Sequence, residues 1–303
     1  MVRLACMDDL LDSAWLKWAW AVVDAQALQE DVNAFALDTN AEATADVNQH
    51  YDAKRRAVVL SVAKLLHPFP DRWGLRFGDV VHNYRSCLDH LAWALVQRGL
   101  TSVLTERQKR GVYFPIAMTR TQFNASIGRR LPGVLRADIA KVRRHQPYHQ
   151  GQRNRARHVL TVLDELSRHD KHRTIQPVVG TPDTATYRLK AAHDCEVIRL
   201  RRKSMREPVQ VGTEIGVFYV RRTGLHPKID MEGDLPLYPA VNATLRLEKW
   251  MELTMKVTFR LLSDFAEPPP VVRDVLVHAG VVGSDDPWEV RPVTHESIPP
   301  VKG

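Results

Sequence analysis

Apolar residues recur at helical spacing over several long stretches of the chain. One stripe in residues 8–36 predicts a long amphipathic first helix and consists of Leu11, Trp15, Trp18, Val22, Ala25 and Leu28. The same spacing predicts helices at about 75–98, 133–146, 152–173 and 242–266. We expect Gly99 to close the second helix as a left-handed cap and Asn242 to cap the last one.

Period-two alternation replaces the helical spacing in the second half of the chain. The strings TATYRLKA, CEVIRLRR and TEIGVFYVRR predict three antiparallel strands within residues 177–240. The apolar run AVVLSVAKLL at 57–66 allows a strand or a helix, and its valines favour a strand. HPFPDRWG at 67–74 breaks the regular structure, whereas the polar residues 41–54 predict no particular element.

These patterns indicate an α+β fold, a helical bundle packed with a small antiparallel sheet. We expect one domain over residues 1–270. Its predicted parts are a helical region (1–176), a strand-rich region (177–240) and a closing helix (242–266). The proline-rich end at 271–303 is expected to be a tail that is partly disordered.

The charge of the chain favours anionic partners. With 43 Lys and Arg against 35 Asp and Glu, the net charge is +8, which attracts RNA or another anionic ligand by long-range electrostatics. Much of the excess lies in arginine clusters, among them Arg129, Arg130, Arg136, Arg143, Arg144, Arg153, Arg155 and Arg157. A solvated basic face with no ligand is the simpler interpretation of such clusters.

Cysteine usage and hydropathy predict a cytoplasmic protein. Cys6, Cys87 and Cys195 are widely spaced and form no CxxC pair, so we expect buried thiols in a reducing compartment. Acidic residues interrupt the apolar start, and no uncharged stretch is long enough for a membrane span. A glycine-rich phosphate loop, a nucleophile elbow and a dinucleotide fingerprint are also missing from the sequence, which disfavours ATPases, α/β-hydrolases and Rossmann enzymes. We expect no cofactor.

The second predicted helix carries the main candidate site on one face. At 100° per residue, polar side chains share an arc of this helix with one tryptophan: Asp79, His82, Asn83, Arg85, Ser86, Asp89, His90 and Trp93. An ordinary solvated face uses Lys, Glu and Gln, which are better helix formers than His, Asp, Asn and Ser. The composition therefore predicts a partly covered polar groove, although a solvated face stays open.

Residues 158–173 are predicted to supply the other side of this groove. Continuing the buried stripe of that helix places Asp170 on its apolar face, where a lone carboxylate would be badly desolvated. Arg85 is the expected partner, through a bidentate pair. His169 and Arg173 flank the same side. A structural ion pair that keeps two helices in register explains the same pattern.

The string RSCLDH, Arg85 to His90, has the form of an arginine followed five positions later by a histidine on a helix. In this respect it resembles the HEPN superfamily of small helical nucleases. That resemblance implies RNA cleavage without metal in a groove between two subunits. It also implies that His90 handles protons and that Arg85 stabilises the phosphorane, roles that their chemistry permits.

A longer resemblance covers most of residues 75–175. GDVVHNYRSCLDHLAWAL and LDELSRHDKHR resemble a bacterial family with HNxRSxLDHLAW and DKHR motifs, which implies no particular reaction. HEPN domains are compact and all-helical. This chain departs from them because it has a strand-rich region before its last helix.

Two further interpretations of the polar face remain open. His82, Asp89, His90, His169, Asp170 and His172 offer metal ligands, and the His169–Asp170 dipeptide resembles the HD phosphohydrolases, which would use a metal-bound hydroxide. The other interpretation is not enzymatic. In it the polar faces form a buried network that specifies a helix pair or a homodimer, and the chain is a structural or interaction protein.

Overall fold

The computed structural model describes residues 7–38, 44–66, 69–170, 179–182, 188–202, 211–232, 235–242 and 245–282. Its contacts divide the chain into two compact units. The first, called the helical unit here, comprises residues 1–29, 75–175 and 251–303. The second, the sheet unit, comprises residues 30–74 and 176–250. The α+β class is confirmed, and the single domain over residues 1–270 stays a prediction.

Within the described residues the α-helices are α1 (Met7–Asp38), α2 (Arg72–Gly99), α3 (Glu106–Lys109), α4 (Arg120–Arg130), α5 (Arg136–Arg144), α6 (Gly151–Asn154), α7 (Val159–Asp170), α8 (Leu247–Ser263) and α9 (Pro270–His278). The long first helix is confirmed. Trp15 and Trp18 are 1% and 2% exposed and pack edge to face, with ring centroids 5.7 Å apart. Phe259 of α8 contacts both rings. Aromatic packing therefore connects α1, the first helix of the helical unit in the sequence, to α8 near its end.

Helix α2 ends at Gly99 for a different reason from the one predicted. Gly99 belongs to the helix and is not among the glycines with positive φ, so it is not a left-handed cap. A Cβ at this position would lie 3.0 Å from the carbonyl carbon of Gly133 and overlap its oxygen. Glycine is needed here because the backbone at Gly133 passes directly over the helix end.

The short helices of the helical unit were predicted less well than the long ones. Helix α4 falls in the stretch that we expected to be mostly loop, and it begins where the Thr119 hydroxyl accepts a hydrogen bond from the backbone N–H of Gln122. Helix α7 begins at Val159, seven residues later than predicted, because α6 and a turn of 3-10 helix at Arg155–Arg157 come before it.

The strands of the sheet unit are β1 (Thr44–Asp52), β2 (Ala57–Leu66), β3 (Val179–Pro182), β4 (Arg188–His193), β5 (Cys195–Arg202), β6 (Glu214–Arg222), β7 (Lys228–Glu232), β8 (Leu235–Asn242) and β9 (Leu245–Arg246). Over the described ranges, seven strands form an antiparallel sheet in the order β3-β8-β1-β2-β6-β5, with β9 paired to β8. Strands β4 and β7 form a separate antiparallel pair.

The core of the sheet unit lies on one face of β2 and β6. Val58, Leu60 and Val62 alternate along β2 and cluster with Phe218 and Val220 of β6. Ala57 and Val59, on the opposite face of β2, are also fully buried. A strand that is buried on both faces is a continuous apolar run, which explains why this segment could not be separated from a helix by its period.

Four expectations about chain segments need correction. Residues 41–54, which predicted no element, contain β1, and the region of three predicted strands also contains β3, β7 and β8. Asn242 does not cap the closing helix, because it ends β8 and α8 starts at Leu247. The predicted tail begins with a helix, α9, whose Val272 and Leu276 are completely buried. Residues 283–303 lie outside the described part of the chain.

Candidate functional site

Arg85 lies in the middle of α2 and is 6% exposed. Its Nη2 donates to the backbone oxygen of Phe114 and contacts Asp89 Oδ1, both at 3.0 Å. Its Nη1 lies 3.7 Å from Asp164 Oδ1 on α7. The positive charge is therefore held between two carboxylates and a carbonyl, a set of partners that compensates its desolvation.

Asp89 completes a clamp around Phe114. The backbone N–H of Phe114 donates to Asp89 Oδ1 at 2.9 Å, while the backbone oxygen of Phe114 accepts from Arg85. Both polar groups of this residue are thus satisfied by side chains one turn apart on α2, as a neighbouring strand would satisfy them in a sheet. We call these groups, together with Asp164, the Arg85 network.

Gln146 holds the following residues in the same manner. Its Oε1 accepts from the backbone N–H of Ala117, and its Nε2 donates to the backbone oxygen of Pro115, both at 3.0 Å. Gln146 is 1% exposed. Within residues 113–118, the clamped segment, the backbone at Phe114, Pro115 and Ala117 is therefore bonded by side chains of α2 and by Gln146. The sequence offered no signal for Gln146, since a glutamine before a proline is usually read as a surface turn.

The expected partner of Arg85 was Asp170, and among the described side chains of α7 it is Asp164 that contacts Arg85. Asp164 also pairs with Arg168, at 3.0 Å. The backbone of His169 and Asp170 ends α7, but their side chains, and all of Arg173, lie outside the described part of the chain. An Arg85–Asp170 contact therefore stays a prediction.

His90 faces α1 and not the Arg85 network. Its Nδ1 lies 3.0 Å from the Ser13 hydroxyl oxygen, and the Ser13 hydroxyl donates to the backbone oxygen of Leu10 at 2.8 Å. When the Ser13 hydroxyl donates to Leu10, it can only accept from Nδ1, and in this tautomer Nε2 keeps its lone pair. Burial lowers the pKa of His90, with Lys17 acting in the same direction and Asp89 opposing both.

Asn83 also faces α1. Its side-chain oxygen accepts from Lys17 Nζ at 3.2 Å, and its Nδ2 donates to Asp24 Oδ2 at 2.9 Å. Desolvation raises the pKa of Asp24 despite this hydrogen bond. One edge of the polar arc of α2 is therefore bonded to α1, and the other edge is bonded to the clamped segment and α7.

His82, Ser86 and Trp93 occupy the middle of the arc, between these two sets of contacts. His82 is exposed, and its Nε2 lies 3.4 Å from the Ser86 hydroxyl. Ser86 and Trp93 are partly exposed. The predicted arc is thus sheltered at both edges and open along its centre. Within the described residues, the arginine and the histidine of the RSCLDH string share no hydrogen-bond partner, and Asp89, which pairs with the arginine, acts on the histidine only through its charge.

This arrangement constrains the chemistry of the arc. A phosphate group that approached Arg85 would meet the Asp89 and Asp164 carboxylates around a side chain that is almost completely buried, and these like charges oppose its entry. His90 is better placed for acid–base chemistry, since Ser13 orients its ring and burial favours its neutral form. The arginine of the RSCLDH string is therefore buried among carboxylates, whereas its histidine is partly exposed and bonded to α1.

Metal ligands do not assemble in the described portion of the helical unit. The residues described there and in the sheet unit include no group of three or more His, Cys, Asp or Glu side chains arranged to hold an ion. The side chains of His169 and Asp170, and all of His172, lie outside the described part of the chain. Within the described residues, Asp89 and His90 turn toward different partners.

The fold and this network define an α+β protein whose helical unit is organised around a buried arginine–carboxylate group. No protein-family model, curated protein or solved structure matches the chain. The similarity to HEPN nucleases and to the bacterial family with HNxRSxLDHLAW and DKHR motifs stays a prediction. None of the described helices has both the length and the apolar character needed to cross a bilayer.

Proposed function

We propose that this chain is an interaction protein that binds RNA through arginines of the helical unit, and that the Arg85 network is the scaffold that supports this surface. The observation that carries the proposal is the distribution of charge. Residues 98–158, the basic stretch, contain fourteen Lys and Arg but two acidic residues, Glu106 and Asp138. This stretch therefore carries a formal charge of +12, while the rest of the chain carries −4, giving the net +8.

Several charges of the basic stretch are available to a ligand. Five arginines are exposed and make no ion pair with the described residues: Arg107, Arg110, Arg129, Arg136 and Arg157. Others serve the fold, since Arg98 pairs with the buried Asp138 and Arg130 lies over the Tyr113 ring at 4.2 Å. Exposed guanidinium groups that no carboxylate neutralises bind phosphates with a favourable release of counterions.

Arg85 is proposed to support the RNA-binding surface and not to bind RNA itself, because its guanidinium already has partners within the protein. Its Nη2 contacts the Phe114 carbonyl and Asp89, and its Nη1 is buried 3.7 Å from Asp164, so little of the guanidinium is accessible to an external phosphate. The clamped segment lies inside the basic stretch and connects α3 to α4. Holding it in place fixes where the neighbouring arginines stand on the surface.

Replacing three exposed arginines together, Arg107→Gln, Arg129→Gln and Arg136→Gln, is expected to weaken binding of a single-stranded RNA 20-mer by at least about tenfold at 150 mM salt. The plot of log affinity against log salt should become shallower by roughly 2, because three phosphate contacts are lost. Fluorescence anisotropy of a labelled RNA measures both quantities on the full chain.

A matched control removes charge from the sheet unit. Lys190→Gln, Arg199→Gln and Arg201→Gln alter three exposed basic residues of β4 and β5 and should leave RNA affinity within about twofold of the wild type. Equal weakening by both sets of variants would show that only net charge matters. An affinity of the triple variant indistinguishable from that of the wild type would refute the proposed surface.

A second candidate function is metal-independent RNA cleavage with His90 as the general base. The observation in its favour is the bond from His90 Nδ1 to Ser13, which favours the tautomer that leaves Nε2 able to accept a proton. The resemblance to HEPN nucleases adds the expectation of a homodimer with a groove between subunits. The contacts of Arg85 with Asp89, Asp164 and the Phe114 carbonyl argue against its predicted role of stabilising the phosphorane.

His90→Ala is expected to lower the rate of RNA cleavage by about 100-fold or more if this second function is correct, while His226→Ala, at an exposed position of the sheet unit, leaves it unchanged. Because burial lowers the pKa of His90, the fall of the rate with decreasing pH should have its midpoint below the ordinary imidazole pKa of about 6.5. A pH–rate profile of the purified protein checks this. Cleavage that survives His90→Ala in a folded protein would exclude this function.

A cytoplasmic location belongs to the same proposal. Cys87 and Cys195 are free and buried, as predicted, and burial raises the pKa of both thiols. Unpaired thiols of this kind suit a reducing compartment. Cys6 lies outside the described part of the chain.

A further inference from the structure

The sheet unit contains a cavity at the end of strands β1, β2 and β6. It has a volume of about 570 Å³, within the range of small-molecule sites. The four-residue turn between β1 and β2 forms one wall, and the ends of β5 and β6 form the other. Its lining comprises Tyr51, Ala53, Arg55, Arg56, Ile198, Tyr219, Val220, Arg221 and Arg222. Four of these residues are arginines, and none is acidic.

Two of the four arginines are neutralised by carboxylates next to the cavity. Arg55 donates to Glu214 at 2.9 Å and lies 3.3 Å from Asp52, and the contact with Glu214 raises the pKa of Arg55. Arg221 donates to Glu196 at 2.8 Å. These two pairs contribute little net charge to the cavity.

The other two arginines keep their charge. Arg222 donates to the backbone oxygens of Gly224 at 2.5 Å and Leu225 at 3.1 Å, which orients its guanidinium 5.9 Å from the centre of the Tyr51 ring without cancelling the charge. The Arg56 side chain makes no hydrogen bond or ion pair with the described residues. The cavity therefore holds about two uncompensated positive charges.

The backbone of Arg56 is held in a conformation that arginine rarely adopts. Its φ is +49°, in the left-handed region, where glycine or asparagine would be less strained. Its backbone oxygen accepts from the N–H of Val220 at 3.0 Å, which ties the turn to β6. Glycine would adopt this backbone conformation with less strain than arginine. The presence of arginine therefore suggests that its side chain has a function in the cavity.

We infer that this cavity binds the phosphate of a small organic phosphomonoester, with Arg56 and Arg222 contacting its oxygens. A phosphomonoester near neutral pH carries close to two negative charges, which matches the two uncompensated guanidinium groups. Tyr51, Tyr219 and Ile198 provide aromatic and apolar surface for the organic part of the ligand. This site belongs to the sheet unit and is independent of the RNA surface proposed for the helical unit.

Isothermal titration calorimetry of the full chain with four probes tests the inference: AMP, glucose 6-phosphate, inorganic phosphate and adenosine. We expect AMP or glucose 6-phosphate to bind with a dissociation constant below about 1 mM, and adenosine to bind at least about tenfold more weakly than AMP. Preference for AMP over glucose 6-phosphate would assign the organic part to a nucleoside. Failure of every phosphate-bearing probe to saturate overturns the inference.

Arg56→Gly separates binding from folding. This variant relieves the left-handed strain, so the melting temperature should be unchanged or higher, while the affinity for the better phosphomonoester should fall at least about tenfold. Arg201→Gln, on β5 and outside the cavity lining, is the control and should bind like the wild type. Wild-type affinity in a folded Arg56→Gly protein contradicts the site, whatever the RNA experiments show.

Discussion

Replacing Arg85 with alanine is expected to lower the free energy of unfolding by about 3–5 kcal/mol, the cost of breaking a buried charge network by removing one partner. The side chain is nearly inaccessible, and its loss leaves the Phe114 backbone oxygen without its donor. It also leaves Asp89 with a negative charge that the guanidinium no longer balances. Urea denaturation followed by tryptophan fluorescence measures this change.

Arg168→Ala is the matched control, because Arg168 contacts the same carboxylate from the solvent side. Its guanidinium lies 3.0 Å from Asp164, yet the side chain is 69% exposed. An exposed pair of this kind contributes about 0–1 kcal/mol, so the control should denature close to the wild type. If Arg85→Ala were as stable as Arg168→Ala, Arg85 would not be a structural residue.

Gly99→Ala is expected to destabilise the protein by about 3 kcal/mol, at the upper end of the usual cost of overpacking. The added methyl group would overlap the backbone oxygen of Gly133, and backbone cannot rotate away as a long side chain can. The end of α2 and the chain at Gly133 would both have to move. A thermal or chemical denaturation curve gives the change in stability.

Gly128→Ala gives the opposite sign and serves as the control. Gly128 lies in α4, and a Cβ there meets no atom within 4 Å. Alanine is the better helix former, so the substitution should raise stability by about 0.5–1 kcal/mol. Similar effects of the two substitutions would mean that helix propensity, and not the approach of Gly133, determines the requirement for glycine at position 99.

The sequence predicted the long elements because their periodicity is local. The stripe of α1 and the alternation of β5 and β6 each span enough residues to separate a helix from a strand. Helix α9 begins at the last of three consecutive prolines, a run that reads as the start of a tail, although Pro270 fits the first turn of a helix. Its burial depends on contacts that no short window of sequence contains.

The sequence correctly predicted that α2 ends at Gly99, but the reason predicted for the glycine was wrong. The sequence indicated that a glycine ends α2, and local rules assign such a glycine to a left-handed cap. The observed requirement comes from Gly133, thirty-four residues later. A steric requirement between segments distant in the chain leaves no trace in the local pattern.

The polar arc of α2 was predictable, but its partners were not. Angular arithmetic placed Arg85, Asp89 and His90 on the arc, and it separated Arg85 from His90 by 140°. That separation already indicates that the two side chains meet different neighbours. The clamped segment and Gln146 could not be inferred, because their role depends on backbone groups that every residue has.

The central claim is that Arg85 maintains the fold while arginines of the basic stretch bind the partner. RNA-binding isotherms of Arg85→Lys, which keeps the charge but loses the fork of donors, test it most directly beside the triple variant of Arg107, Arg129 and Arg136. At a temperature where all the proteins are folded, the account predicts near wild-type affinity for Arg85→Lys and loss for the triple variant. Loss of RNA binding in folded Arg85→Lys, with the triple variant unaffected, would contradict it.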